Sequence, residues 1–493
     1  MNLIERYESA RTKIGGLLQG EALRAKAMRG GVWLGGGSVA EQAFRLGRNM
    51  ILTRLLAPSA FGAMAIVMSS SAVVGALTEV GVRQAVIQNP KGHEKEYLDA
   101  GWWLGLGRSI ITYLIIFAMA PLVAHFYGFT DLSALLRITL LGTLFDGAMS
   151  PRSALAQKDL KLGRWMIISN GGGICGVILT IILSFVFRDV WALAIGFSSE
   201  NAFRCILSYI LYPGLPSFNW KRDAMRDLYG FSKQAFGLSF LNLIFARADI
   251  FVLGKLYPAA ELGLYSMGVA LILTPSTFIT NMLAQTLFPA FTHVQDDKER
   301  INRILIEVTS WMVMLGLPGV AVIWLCGHSL LSVIYGARYV AAAAPLAVAA
   351  AVVFLNLLNV VITCVFTAVG RPALHRRAVA ASAVVMLIAV YPACKLLGMV
   401  GGQVAALLAI IVSYLLQMIR MRDLTGLDLL RYGRTIVPAT LASAGVLAIG
   451  YGFRIFGLMT GPVANMSLGA AACIVAYALC AFAFMRRKHV AER

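Results

Sequence analysis

Residues 54–62 read RLLAPSAFG, and residues 255–263 read KLYPAAELG. The basic residue and leucine that open each stretch, and the apolar residue and glycine that close it, recur at an offset of about 201 residues. Tyr127-Gly128 returns as Tyr335-Gly336 at a slightly larger offset. The chain therefore contains two copies of one unit, and the apolar runs that flank these stretches define what the unit is.

Apolar runs of about 20 residues recur along the whole chain, and this length crosses a bilayer core. Of the 493 residues, 59% are hydrophobic and 14% are charged, and the mean hydropathy is +0.75. A soluble domain averages about 45–50% apolar and about 25% charged residues. The composition therefore predicts an all-α membrane protein with about fourteen transmembrane helices and no soluble domain.

The apolar runs give approximate limits for each span. The predicted spans are 30–52, 60–82, 100–124, 132–154, 165–187, 190–211, 230–256, 262–291, 304–326, 341–369, 378–394, 400–419, 436–453 and 463–484. Six spans fall in each copy of the repeat, and two follow it. Because six is even, both copies enter the membrane in the same orientation, which predicts two parallel six-helix lobes with a substrate path between them.

The repeat also divides the chain into segments. These are a cytoplasmic amphipathic N-terminal segment (1–28), an N-lobe (29–215), a cytoplasmic linker (216–229), a C-lobe (230–422) and a C-terminal part with two helices and a basic tail (423–493). The first segment mixes basic and acidic residues and lacks the apolar core of a signal peptide, so we expect it to lie at the membrane surface.

The positions of Lys and Arg test this map of spans. About 31 of the 43 basic residues lie in the N-terminal tail and in every second loop. The intervening loops hold about six, namely Arg54, Arg188, Lys255, Arg338, Lys395 and Arg454. This alternation follows the positive-inside rule and predicts that both termini are cytoplasmic. It also accounts for the net charge of +19 without a nucleic acid as partner.

Twelve charged residues map inside or near the ends of the predicted spans. They are Glu41, Arg45, Arg48, Glu79, Arg108, Arg137, Asp146, Glu200, Arg204, Arg247, Asp249 and Glu307. A charge at the bilayer centre costs at least ~2.5–3.5 kcal/mol, so these side chains should face protein or a watery cavity. Helical spacing puts Glu41, Arg45 and Arg48 on one stripe of the first helix, and it pairs Glu200 with Arg204.

Two interpretations of these charges stay open. The Glu41–Arg45 and Glu200–Arg204 pairs are as consistent with structural pairing as with a functional site. Arg48, Arg108 and Arg247 have no partner at helical spacing in their own spans, which favours a solvated cavity over pairing with another helix. The candidates for substrate binding are Arg45, Arg48, Arg108, Arg204 and Arg247, and those for a coupling ion are Glu41, Asp146 and Asp249. No nucleotide-binding, metal-binding or catalytic motif occurs, so neither a cofactor nor a metal is expected.

Residues around the repeat resemble a known family. The matching stretches are residues 54–62 and 81–88 in the first half, followed by Asp249, 253–255, 262–266, Pro275, 288–289 and 295–296 in the second. Their order over residues 28–420 resembles the polysaccharide transporter family. That family includes the oligosaccharide-lipid flippases of the multidrug/oligosaccharidyl-lipid/polysaccharide exporter superfamily.

The resemblance implies a two-lobed fold that alternates between inward- and outward-open states in a bacterial cytoplasmic (inner) membrane. It implies as cargo a polyprenyl-pyrophosphate-linked oligosaccharide repeat unit for exopolysaccharide, capsule or O-antigen synthesis. The implied partners are this lipid-linked substrate and membrane lipids, and a polysaccharide polymerase and a chain-length regulator are compatible with it. A pyrophosphate needs compensating positive charge, which Arg45, Arg48 and Arg247 are suited to supply as bidentate donors.

Two other functions compete with this expectation. A cation-coupled drug or metabolite antiporter of the same superfamily would need a compact carboxylate cluster, for which Asp146, Asp249 and Glu307 are available. A membrane polymerase or glycosyltransferase would need catalytic side chains in a sizeable extracytoplasmic loop. The longest such loop, near 327–340, has only about 14 residues. The sequence therefore favours a transporter that is not an enzyme.

Overall fold

The computed structural model describes most of the predicted membrane region. The described residues are 36–37, 40–78, 82–159, 161–217, 225, 227 and 236–455, with isolated residues 461, 467 and 471. Regular structure within these ranges is helical throughout. The predicted segment 1–28 lies outside the described residues, as do most of the linker 216–229 and of the last predicted span, 463–484.

The described part of the first half forms helices α1 to α9. They are α1 (40–55), α2 (Pro58–Leu77), α3 (Val82–Gln88), α4 (Lys95–Tyr127), α5 (Leu132–Gly147), α6 (Ala154–Lys158), α7 (Leu162–Met166), α8 (Gly172–Phe187) and α9 (Val190–Leu211). A π-helical turn at Ile167–Gly171 joins α7 to α8, so 163–187 run as one span.

The second half forms helices α10 to α16. They are α10 (Phe236–Leu256), α11 (Ala259–Thr292), α12 (Lys298–Ile334), α13 (Ala343–Ala368), α14 (Pro372–Leu397), α15 (Val400–Thr425) and α16 (Leu429–Ile455). Several of these helices are longer than the predicted spans. The 37-residue α12 is one example, because its ends carry polar residues that a hydropathy window excludes.

The described helices confirm a multi-pass membrane protein. Nine of them are long and apolar enough to cross a bilayer, or ten if α5 and the bent segment after it count as one span. That segment corrects the predicted span 132–154, because the chain turns by 71° between Gly147 and Pro151. Proline lacks an N–H and disfavours helical backbone at the residue before it. The total of about fourteen spans and the segment boundaries stay predictions.

The helices pack in two groups that follow the sequence repeat. In the first group α4 packs on α5, and α9 packs on both α5 and α8. In the second group α13 packs on α11, α12 and α15, while α14 packs on α10 and α15. Helix α16 lies against α12. We call the two groups the N-lobe and the C-lobe.

The lobes meet where α2 crosses α10 and α11, and two glycines lie at the crossing of α2 with α11. A Cβ on Gly62 would lie 1.8 Å from the Ala259 carbonyl oxygen, and a Cβ on Gly263 would lie 1.8 Å from the Pro58 carbonyl oxygen. The two glycines are related by the offset of the repeat, and so are Pro58 and Ala259, whose carbonyls they approach. The crossing is therefore approximately twofold symmetric, and small residues let the two backbones touch.

Alanine at this crossing should separate the helices. We expect Gly62→Ala and Gly263→Ala each to destabilise the protein by roughly 1–3 kcal/mol, because the new methyl group meets backbone that has no rotamer to escape into. Thermal unfolding in detergent measures the effect. Gly75→Ala in the same helix α2 is the matched control, since nothing lies within 4 Å of a Cβ there. Equal midpoints for Gly62→Ala and Gly75→Ala would contradict the close contact.

Candidate functional site

The charges predicted on α1 and α9 form one network. Glu41 Oε1 accepts hydrogen bonds from Arg45 Nε (3.0 Å) and Nη2 (2.9 Å). Glu200 Oε1 accepts from Arg45 Nη2 (3.1 Å) and from Arg204 Nη2 (2.6 Å). Arg204 Nε also donates to the Ser169 carbonyl (3.1 Å), which fixes its orientation. Both pairs expected from helical spacing therefore form, and Arg45 joins them across the two helices.

This network is electrically balanced, and its centre is buried. Glu200 is only 5% exposed and forms salt bridges with both Arg45 and Arg204. Together with Glu41, the two Glu and two Arg side chains neutralise one another. The network ties α1 to α9 in the N-lobe. Arg45 and Arg204 are thus committed to protein carboxylates, which makes them poorer ligands for an anionic substrate than the sequence suggested.

Arg48 and Arg247 are different from that pair. Neither lies within 4.0 Å of a carboxylate of any described residue, and both are half-buried. Arg48 donates from Nε to Asn49 Oδ1 (3.3 Å), a neutral acceptor. Arg48 is on α1 of the N-lobe and Arg247 is on α10 of the C-lobe, so the first described helix of each lobe carries an arginine with no described carboxylate within 4.0 Å.

Asp249 is buried in the C-lobe, on the face of α10 opposite to Arg247. Its Oδ2 accepts hydrogen bonds from the Tyr265 hydroxyl and from Gln403 Nε2 (3.3 Å), and Gln403 Nε2 also donates to the Tyr265 oxygen (2.6 Å). No basic side chain of a described residue lies within 4.0 Å of it. The sequence offered no signal for Gln403, and Tyr265 stood out only as part of the family-like stretch 262–266.

Arg108 and Asp146 lie together at the end of the N-lobe where α2 and α5 finish. Both line a cavity of about 250 Å³ with Arg83 and Trp102. Arg108 Nη2 donates to the Gly75 carbonyl (3.2 Å) near the end of α2, whereas its buried Nε has no hydrogen-bond partner among the described residues. Arg83 directly follows the predicted span 60–82, and its guanidinium carbon lies 4.8 Å from the Trp165 ring centre. Arg108 therefore belongs to a different place from Arg48 and Arg247.

The remaining predicted charges do not extend either group. Arg137 lies over the Phe117 ring at 4.1 Å, Glu307 is exposed on α12, and Glu79 lies outside the described residues. Asp146, Asp249 and Glu307 do not form the carboxylate cluster that the competing antiporter would need. These residues sit on α5, α10 and α12, and the described chain contains no group of three or more metal-ligating side chains.

Comparison with known proteins identifies the family. The profile described as polysaccharide biosynthesis protein matches residues 51–344, which is more than half of the chain. The chain belongs to this family. The match begins within α1 and ends at the start of α13, so it includes Arg247, Asp249 and both sequences of the repeat.

Two curated relatives have about the same sequence identity to this chain. The lipopolysaccharide biosynthesis protein WzxC of Escherichia coli (strain K12) is 20% identical over 64% of this chain and 65% of its own length. The succinoglycan biosynthesis transport protein ExoT of Rhizobium meliloti (strain 1021) is 23% identical over 59% of this chain and 58% of its own. The alignments thus span less than two thirds of these relatives.

The fold has a counterpart among solved structures. The lipid II flippase MurJ in an inward closed conformation superposes with a TM-score of 0.74, covering 92% of this chain and 98% of MurJ. Sequence identity is 11%, so the similarity concerns the fold alone. The all-helical membrane fold predicted from the sequence is therefore confirmed, and MurJ shares it.

Removing the carboxylate at the centre of the α1–α9 network should destabilise the N-lobe. We expect Glu200→Gln to cost about 3 kcal/mol, because Arg204 then remains partly buried without its carboxylate partner and Arg45 loses one of its two. The unfolding midpoint in detergent measures this cost. Asp423→Asn is the control, since its pair with Arg420 (3.4 Å) is exposed and worth less than about 1 kcal/mol. A Glu200→Gln variant as stable as the control would contradict the network.

Proposed function

We propose that the protein is a flippase that carries polyprenyl-pyrophosphate-linked oligosaccharide repeat units across the cytoplasmic membrane for exopolysaccharide, capsule or O-antigen synthesis. One observation carries the proposal: each lobe has a half-buried arginine on its first described helix, Arg48 or Arg247, that lies within 4.0 Å of no described carboxylate. A cation in a membrane helix is costly unless water or an anion compensates it. A diphosphate head group would be such an anion.

The positions of these arginines along their helices support the same idea. Arg48 precedes Arg54 by six residues, and Arg247 precedes Lys255 by eight. At 1.5 Å per residue they lie about 9 and 12 Å inward from the end where the lobes touch. Arginine presents a planar fork of donors that matches phosphate oxygens in pairs. One arginine from each lobe would hold the head group at the lobe interface, and the lipid tail would remain in the bilayer.

The relatives support the substrate class. Two are named for lipopolysaccharide and succinoglycan biosynthesis, the second as a transport protein, and the similar fold belongs to a lipid flippase. The proposal is accordingly a transport function and not an enzymatic one. It places the protein in a bacterial inner membrane with both termini in the cytoplasm and about fourteen spans. The end where α2 crosses α11 then faces the extracytoplasmic side.

Neutralising the two arginines should slow transport. We expect Arg48→Gln and Arg247→Gln each to reduce leaflet exchange of a fluorescent polyprenyl-pyrophosphate oligosaccharide in proteoliposomes by roughly tenfold, the value of a hydrogen bond to a charged group. Arg303→Gln, an exposed cation on α12, is the matched control and should leave the rate unchanged.

Two outcomes would count against this proposal. Unchanged rates in both arginine variants would remove them from the binding site. Absence of exchange by the unaltered protein under any imposed ion gradient would remove the flippase function itself. Efflux of an organic cation by the same vesicles would favour the competing antiporter.

Asp249 is proposed as the site that couples transport to an ion. It is a buried carboxylate whose described partners are neutral, so binding a proton or a sodium ion would remove an uncompensated charge. This feature fits either an ion-driven flippase or an antiporter. Glu41, by contrast, already has Arg45 as its counter-ion.

Removing the charge of Asp249 should separate transport from the ion gradient. We expect Asp249→Asn to keep exchange without a gradient but to lose the acceleration that a proton or sodium gradient gives, because the neutral amide no longer binds the ion. Exchange rates with and without imposed gradients measure this. Glu307→Gln is the control, since Glu307 is exposed. A variant that responds to gradients as the unaltered protein does would dismiss the role of Asp249.

A further inference from the structure

The residues that recur in the sequence repeat meet in space. Arg54 and Lys255 end α1 and α10, and Tyr127 and Tyr335 lie at the ends of α4 and α12. With the glycine pair at the α2–α11 crossing, these residues form the contact between the lobes. We call the set Arg54, Gly62, Tyr127, Lys255, Gly263 and Tyr335 the seam.

The two cations of the seam make reciprocal contacts across it. Arg54 Nη2 of the N-lobe donates to the Val333 carbonyl of the C-lobe (3.3 Å). Lys255 Nζ of the C-lobe donates to the Phe126 carbonyl of the N-lobe (2.5 Å) and lies 4.6 Å from the Phe126 ring centre. Each cation therefore reaches from the first helix of its own lobe, α1 or α10, to the end of a long helix of the other lobe, α12 or α4.

The acceptors of these bonds are helix ends. Phe126 and Val333 are the last residues but one of α4 and α12. The final four carbonyls of a helix have no partner inside it, and the helix dipole gives them partial negative charge. A cation from the opposite lobe thus caps each helix. The contact exists only while the two lobes are together, because neither acceptor lies in the lobe of its donor.

The two repeated tyrosines also pack at this contact. The Tyr127 hydroxyl points to the Phe251 carbonyl of α10 at 3.5 Å, and its ring would lie 3.1 Å from a Cβ on Gly254. Tyr335 is fully buried in the core cluster that both lobes share. The seam therefore has a tightly packed centre, flanked on each side by a hydrogen bond from a cationic side chain to a backbone carbonyl.

We propose that Arg54 and Lys255 are paired clasps that hold the lobes closed at this end, and that both must release when the protein opens there. The clasps suit a gate because they are exposed and individually weak, so they bias the closed state without locking it. Their twofold relation makes the two releases equivalent. This inference requires only that the lobes move relative to one another, and it does not depend on the chemistry of the cargo.

Distances across the seam test the clasps. Spin labels on genetically encoded residues at the exposed positions Asp131 and Arg338, one in each lobe, report separation in the full-length protein in lipid nanodiscs and leave the native cysteines in place. Each of Arg54→Gln and Lys255→Gln should raise the open-to-closed ratio by roughly two- to fivefold, as expected for a cation at a helix C-terminus. The double variant should show about the product of both factors.

The controls distinguish clasping from general damage. Arg54→Lys and Lys255→Arg keep the cation and should retain the closed distance distribution. Lys395→Gln removes an exposed cation predicted to lie on the same side of the membrane and should change nothing. The single variants decide the matter if the double variant does not fold. A folded Arg54→Gln or Lys255→Gln variant with an unchanged distance distribution would overturn the proposal. If the distances shift as expected but the unaltered protein exchanges no lipid, only the flippase function is contradicted.

Discussion

The structure depends on one backbone contact, the crossing of α2 and α11 at Gly62 and Gly263. Two helices approach this closely only where neither carries a side chain, so the crossing fixes the axis that relates the lobes. The ends of α1, α4, α10 and α12 lie around that axis. Residues at these ends recur in both copies of the repeat. The rest of each lobe is then free to differ. The two helices that carry the candidate charges, α1 and α10, both end at this contact.

Differences between the lobes lie in how each treats its charges. The N-lobe binds two of its arginines to Glu41 and Glu200, and this keeps α1 against α9. The C-lobe buries Asp249 among neutral partners and turns Arg247 to the other face of the same helix. Because a charge in a membrane needs a partner or water, the paired network is a structural feature, whereas Arg48 and Arg247 are the arginines to which we assign the proposed binding role. The proposed binding role is thus given to arginines that have no carboxylate partner among the described residues.

The contrast between Arg45 and Arg48 shows why charge alone is a poor guide to a binding site. Both lie on the charged stripe of α1, three residues apart. Arg45 is held by two carboxylates, one of them 155 positions away in the chain, whereas the hydrogen bond that Arg48 makes within the described residues goes to the neutral amide of Asn49. Likewise, Arg108 donates to the Gly75 carbonyl near the end of α2 and lines a cavity with Arg83 and Asp146. The other candidate substrate-binding arginines do not line this cavity. Two of the five candidate arginines, Arg45 and Arg204, are therefore bound to carboxylates of the protein.

Hydropathy and the repeat at about 201 residues were enough to predict a helical membrane protein built from two equivalent lobes, because bilayer thickness sets helix length and equal sequences fold alike. Helical spacing was also enough to predict the Glu41–Arg45 and Glu200–Arg204 pairs, since residues four apart share a face. Only the tertiary structure decided that Arg45 bridges these pairs, that Asp146, Asp249 and Glu307 lie apart, and that Gln403 joins Asp249. Such contacts join residues far apart in the chain, and they follow from how the helices are arranged around the Gly62–Gly263 crossing, which periodicity within one helix does not specify.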